Sequence, residues 1–235
     1  MKVYITIKSI SGYFLWVCLL ACLAGCEDNN SLHQQYIDEG EIFYTGKCDS
    51  VKAFAGNERI KFTWLISSDP RINRTLIYWN ESKDSVEIPV IRTQKGSLQM
   101  ETMQQITEGN YSFIFVTKDA KGHSSLNVEK SIQVYGPKYI SFLDNRGLSF
   151  NVNNNNLTLN WNVVESALIQ YTTVNYTDYS NPSNPQSKSV VVANEDTQTD
   201  IPGIRSGDTF SVVSTFLPEN GIDNVDALPE IFTIN

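Results

Sequence analysis

Two stretches nearly a hundred residues apart carry the same alternation, and this limits what the chain can become. "GNERIKFTWLIS" begins at Gly56 and "NNNLTLNWNVVE" at Asn154. In the first, Ile60, Phe62 and Trp64 fall on one face and Arg59, Lys61 and Thr63 on the other. In the second, Leu157, Leu159 and Trp161 stand opposite Thr158, Asn160 and Asn162. Side chains that alternate with period two belong to strands with one buried face. Further on, "ITEGNYSFIFVTKDAKGHSS" is matched by "IRSGDTFSVVSTFLPENGID". Trp64 to Trp161 spans 97 positions, Gly109 to Gly207 spans 98, and Tyr111 to Phe210 spans 99. Three landmarks at nearly one offset predict two all-β domains of ordinary size, each able to bury its own core.

Within each unit a tryptophan sits on an early strand, and a Gly-containing turn leads into an aromatic-led strand, "YSFIF" or "FSVVS". That order of events is how an immunoglobulin-like sandwich reads. Tyr111 occupies the place of a tyrosine corner, whereas Phe210 lacks the hydroxyl, so a looser second corner is expected. No cysteine pair brackets the tryptophans, which favours the fibronectin type III-like form. Gly136 and Pro137 mark the expected boundary, giving sandwiches over 42–136 and 137–235.

The N-terminus is a different kind of segment. Lys2 and Lys8 precede an apolar run from Tyr13 to Gly25, too short for a roughly 20-residue membrane span, so residues 1–25 read as a signal peptide. Leu23-Ala24-Gly25-Cys26 resembles the bacterial lipobox, in which a thiol takes a diacylglycerol. One acyl chain binds membranes only marginally and stable anchoring takes more than one signal, which a diacylglycerol with an N-acyl chain would supply. Glu27 and Asp28 directly behind Cys26 are similar to a short surface-export signal, with a periplasm-facing location as the alternative. Residues 26–41 are polar and form the expected tether.

Composition narrows the partners. Loss of residues 1–25 reduces 18 basic residues to 16 against 26 acidic ones, a formal charge of −10. Such a chain repels nucleic acid and anionic lipid, so the lipid itself must hold the membrane. Cys18 and Cys22 leave with the leader and Cys26 is the lipid site. Cys48 is therefore a lone, buried thiol, with no internal disulfide and no cysteine-based zinc site.

Catalytic patterns are scarce. His33 lies in the tether and His123 in "KDAKGHSS", near Asp119, Ser124 and Ser125 but without a G-x-S-x-G elbow. No metal, nucleotide or dinucleotide motif occurs, and no cofactor is expected. Glu219, Asp223, Asp226 and Glu230 cluster in "PENGIDNVDALPE", but their spacing matches no EF-hand; they read as an acidic surface loop, with a weak calcium site as the alternative. For ligand binding, Tyr171, Tyr176 and Tyr179 stand among Ser, Asn and Pro, a composition of rigid rings and adaptable hydrogen-bonding groups. The same stretch also fits a strand with edge tyrosines and an open loop. Asp49-Ser50-Val51 and Asp84-Ser85-Val86 resemble a three-residue O-glycosylation signal of Bacteroides secreted proteins, which makes Ser50 and Ser85 candidate modification sites; plain turn or strand-edge segments fit equally well.

The blocks "GEIFYTGKCDSVKAFAGNERIKFTW", "LIYWNESKDSVEIPV", "EGNYSFIFVTKDAKGHSS" and "VYGPKYISFLDNR" resemble an uncharacterised family of Bacteroidetes surface lipoproteins. The resemblance covers nearly the whole chain after the leader. It implies two tandem fibronectin type III-like domains, often met in polysaccharide-utilisation settings, with no assigned activity. Many relatives continue into a carbohydrate-binding-like module; here the final strand signal is "PEIFTI". The expectation is a non-catalytic accessory or binding module, lipid-anchored in the outer membrane and displayed at the surface. Its partners would be glycans or other outer-membrane proteins. The alternative is a structural spacer or an adhesin-like protein-interaction module.

Overall fold

A computed structural model describes residues 43–93 and 95–234. The leader, Cys26, the tether and His33 lie outside the described residues. Residues Tyr44–Asn235 form one compact unit. Its first half holds two antiparallel sheets. Strands β1 (Cys48–Gly56), β2 (Arg59–Ile66) and β5 (Leu98–Gln105) lie in the order β1-β2-β5. Strands β3 (Ile72–Trp79), β4 (Asp84–Pro89), β6 (Gly109–Asp119) and β7 (Val128–Val134) lie in the order β4-β3-β6-β7. Three strands against four in this order make the fibronectin type III-like sandwich.

The second half repeats the plan. Strands β8 (Leu148–Asn153), β9 (Asn156–Trp161) and β12 (Gln198–Pro202) form a sheet in the order β12-β9-β8. Facing them are β10 (Ile169–Asp178), β11 (Gln186–Val192) and β13 (Thr209–Phe216), in the order β11-β10-β13. The last position is divided between β14 (Val225–Asp226) and β15 (Glu230–Thr233), both paired with β13. Leu228 and Pro229 lie between them, and a proline cannot donate to the ladder, so the strand breaks there. One helical turn, α1 (Pro137–Ile140), joins the two halves.

The alternation does what it predicts. Every second residue of β2 and β9 is buried, Trp64 fully and Trp161 to 6 % exposure. Each indole N–H is satisfied, by Thr75 Oγ1 at 3.3 Å and by Thr199 Oγ1 at 2.9 Å. The first core packs Phe62 edge-on against Phe113 and Phe115, with centroids 4.7 and 5.2 Å apart. The second centres on Phe210, stacked on Phe232 at 5.1 Å and edge-on to Phe150 at 5.2 Å. A third, smaller cluster of Ile169, Phe216, Val225 and Ala227 takes in Tyr139, Ile140 and Leu143 from the connection.

The two corners differ as their residues require. Tyr111 Oη donates to Thr107 O at 3.1 Å, tying β6 to the turn before it. Phe210 instead is 1 % exposed inside its aromatic trio. Packing replaces the hydrogen bond.

Both halves also use an arginine as a clip. Arg146, 5 % exposed, donates to the carbonyls of Asn162, Ala193, Asn194 and Asp196, and lies 5.4 Å from the Trp161 ring centroid. Arg92 reaches the carbonyls of Ser67, Asp69 and Gly96 in the first half. A guanidinium holds several donors in one rigid plane, which suits binding converging loop carbonyls.

Candidate ligand-binding face

The three tyrosines do not form one patch. Along β10, Thr172, Val174 and Asp178 are buried, so even-numbered side chains face the core. Tyr176 follows them and packs against the second core, whereas Tyr171 points out and is 36 % exposed. Tyr179 lies past the strand end, its hydroxyl 3.3 Å from Asp208 Oδ1 and the Arg205 guanidinium 3.9 Å from its ring centroid. Residues five apart in a regular strand take opposite faces. The expected cluster therefore divides.

A different surface comes together beside Tyr176. Asn175, Thr177, Ser187, Ser189, Thr209 and Ser211 line a shallow groove of about 360 Å³ across β10, β11 and β13, with Ile231 of β15 at its rim. The strand register makes it one array: Asn175 pairs with Ser189 on one side and Ser211 on the other, and Ser211 with Ile231. Ser189 Oγ donates to Asn175 Oδ1 at 2.7 Å, so these side chains are ordered across neighbouring strands. Four strands at their usual spacing give a face roughly 15 Å across.

No charged residue occupies an outward position on β10, β11, β13 or β15. Lys188 borders the groove, but its ammonium lies 2.5 Å from Asp178 Oδ2, which is neutralised in turn. Exposed apolar groups lie among the hydroxyls: Val191 at 65 %, Ile231 at 69 % and Tyr171. The surface thus offers neutral donors and acceptors beside apolar contact. Serine and threonine hydroxyls donate and accept, and asparagine supplies both functions from fixed atoms.

The remaining candidates are placed as follows. Ser50 is exposed in the irregular stretch of β1 with φ of 50°, its N–H bonded to Asp49 Oδ1, and Ser85 is exposed on edge strand β4. Trp79 packs on the first core, while its neighbour Tyr78 takes the opposite face of β3. His123 Nδ1 lies 2.6 Å from Asp119 Oδ2, and Asp119 Oδ1 also accepts the N–H groups of Lys121 and His123. That carboxylate staples the β6–β7 turn. Ser125 Oγ accepts from Thr117 N–H and donates to Leu126 O. Cys48 is 1 % exposed, and burial pushes its thiol up to about 12.

The acidic residues near the C-terminus have separate surroundings. Asp223 pairs with Arg59, Asp226 accepts from Thr215 Oγ1 at 2.6 Å, and Glu230 is exposed on β15. Among the described residues no group of three or more His, Cys, Asp and Glu side chains could hold a metal ion.

A family model, DUF4998, described as a domain of unknown function, matches residues 26–225. The chain belongs to that family. No curated protein matches it. Among solved structures, a two-domain fibronectin type III segment of chicken tenascin is 13 % identical, with a TM-score of 0.34; the match covers 80 % of this chain and 99 % of that one. The FN1–FN3 domains of chicken CNTN1 are 10 % identical, with a TM-score of 0.37, over 82 % and 68 %. The strand order carries the fold assignment for this DUF4998 member.

The groove was missed because its residues bear no motif. Its signal is the uncharged outward alternation of "QSKSVVV" beside "TTVNYTD", read as a pair of strands rather than singly.

Proposed function

We propose that this chain is a lipid-anchored surface module that captures neutral glycan on the outward face of β10, β11, β13 and β15, without a catalytic centre. The observation that carries this reading is the charge-free array of hydroxyl and amide groups on a strongly acidic protein. A charged polymer finds there only Lys188, already paired with Asp178, while a neutral sugar finds hydroxyl partners and apolar side chains for its C–H faces. The groove is shallow and open, so the affinity expected is weak, about −4 to −5.5 kcal/mol for a short oligosaccharide. Many weak contacts along a polymer, and many copies on a membrane, would raise the avidity.

The anchor rests on the lipobox at Cys26, and the Bacteroidetes outer-membrane setting on the family resemblance. Cys26→Ser is expected to release the protein from membranes or leave its precursor uncut. Ser50 and Ser85 expose hydroxyls to a glycosyltransferase, and the intact mass of protein from its native host, against that of a bacterial expression product, reports their modification.

The binding test uses the soluble chain from Glu27 onward on affinity gels containing neutral and anionic polysaccharides. Retardation by a neutral polymer, lost in Ser189→Glu and Ser211→Glu but kept in Tyr176→Phe, supports the reading. Absence of retardation by every neutral polymer removes it and leaves a spacer.

A further inference from the structure

The second half's β13–β14 loop, residues 217–224, folds back onto the turn between β1 and β2. Asp223 is the centre of the contact. Its Oδ2 accepts the Asn57 N–H at 2.9 Å and Arg59 Nε at 2.8 Å, while Oδ1 accepts Arg59 Nη2. The pair is bidentate, and the carboxylate side chain is only 16 % exposed. Planar fork-to-carboxylate geometry fixes direction as well as distance. Beside it, Ile222 N–H donates to Ala55 O at 2.8 Å, and Ala55 bridges Gly221 in parallel. The backbone itself is stitched.

A second fastening acts on the connection. Both carboxylate oxygens of Glu108, in the β5–β6 loop, accept N–H groups of α1: Lys138 at 2.7 Å and Tyr139 at 2.6 Å. Tyr135 packs against Tyr139 with the rings tilted by 41° and centroids 4.8 Å apart, and donates its hydroxyl to Glu219 O at 2.7 Å, joining the two fastenings. Tyr139, Ile140 and Leu143 meanwhile pack into the third apolar cluster of the second half. The connection is thus held from both sides.

Two glycines show how close the approach is. A Cβ on Gly56 would stand 2.3 Å from Asp223 Oδ2 and 3.1 Å from Ile222 Cγ1, and one on Gly136 would stand 2.6 Å from Glu108 Cβ. Tandem domains joined by a linker alone swing about it as the default. A single linker leaves bend and twist free, whereas two separate fastenings remove both.

We propose that the two sandwiches form one rigid strut, locked by the Asp223–Arg59 latch and the Glu108-capped helical turn, so that the direction of the second half is fixed by the first. This holds whether or not the outer face binds glycan. The lock can be measured on the soluble chain from Glu27 onward, because all three cores lie within residues 44–235. Cys48 is buried and stays unlabelled, so spin labels enter only at introduced cysteines, Gln99→Cys on β5 and Gln198→Cys on β12.

Pulsed dipolar spectroscopy should give a single distance distribution as narrow as that of a label pair placed within one sandwich. Asp223→Ala, or Arg59→Gln should the first variant fold poorly, is expected to widen it at least roughly twofold, with near-native circular dichroism. A broad wild-type distribution overturns the proposal. So does a narrow distribution unchanged in both folded variants, since the latch would then not be the lock.

Discussion

The outward faces of the two larger sheets occupy the same position in their sandwiches and are chemically opposite. On β4-β3-β6-β7 the face carries charge: Arg74 Nε is 3.6 Å from Glu87 Oε2, and Lys118 and Glu129 share the same side. On β11-β10-β13 the corresponding positions are Ser, Thr, Asn and Val. Scattered charges keep an exposed sheet soluble and discourage edge and face association. The second half gives up that protection across β10, β11, β13 and β15, leaving Asp226 of β14 as a charge at one end of the face, while the chain as a whole is acidic. A face with so few charges is the feature on which the proposed capture of a neutral ligand rests.

The buried ends of the same sheets also differ, and they allow the comparison to be tested. Phe210→Ala removes the centre of the second core's aromatic trio, at the corner position where the first half has Tyr111. It should cost about 3–5 kcal/mol, read as a fall in the denaturation midpoint. Tyr111→Phe keeps the ring and loses only the corner hydrogen bond, and should cost about 1 kcal/mol. A Tyr111→Phe loss as large as that of Phe210→Ala would mean that the two corners are held alike. The looser second corner expected from the missing hydroxyl is checked by amide exchange at Phe210 against Tyr111.

Acid should act on both halves. The Arg71 guanidinium beside Asp69 holds its carboxyl at about 2, below its ordinary 3.8. Lys188 lowers Asp178, and Arg59 lowers Asp223. A carboxylate with a lowered folded value stabilises fully above its unfolded value and loses that contribution as pH falls through the folded one. Stability should therefore be level above roughly pH 5 and fall between about pH 4 and 2. Asp69→Asn should flatten part of that fall. An unchanged profile in Asp69→Asn would show that its pairing with Arg71 does not stabilise the fold. Screening at this exposed pair keeps the effect modest.

The smallest effect on stability is expected on the neutral face. Ser189→Glu and Ser211→Glu should shift stability by no more than roughly 0.5 kcal/mol, because neither side chain is in a core. Their effect belongs to binding alone.

Much of the body was legible in the sequence. "RIKFTW" and "LTLNWN" fix their own buried faces, because period two leaves no other strand register with both tryptophans inside. The corner at Tyr111 was legible from the turn before it. The tyrosine patch was misplaced because spacing in a list is not spacing on a sheet: Tyr171 and Tyr176 lie on opposite sides of one strand. The split of the last strand into β14 and β15 follows from Leu228 and Pro229, but only once β13 supplies the ladder they interrupt. The latch could not be read at all, since Arg59 and Asp223 are 164 positions apart and each looks like an ordinary surface charge.

The most direct test is an amide chemical-shift titration of the soluble chain with a neutral oligosaccharide cut from a polymer that retards it. Shifts should gather at Asn175, Ser189 and Ser211 and leave the Arg74 and Glu87 face unmoved. Shifts on the first sandwich, or none on these strands at saturating ligand, would contradict the assignment of the neutral face as the binding surface.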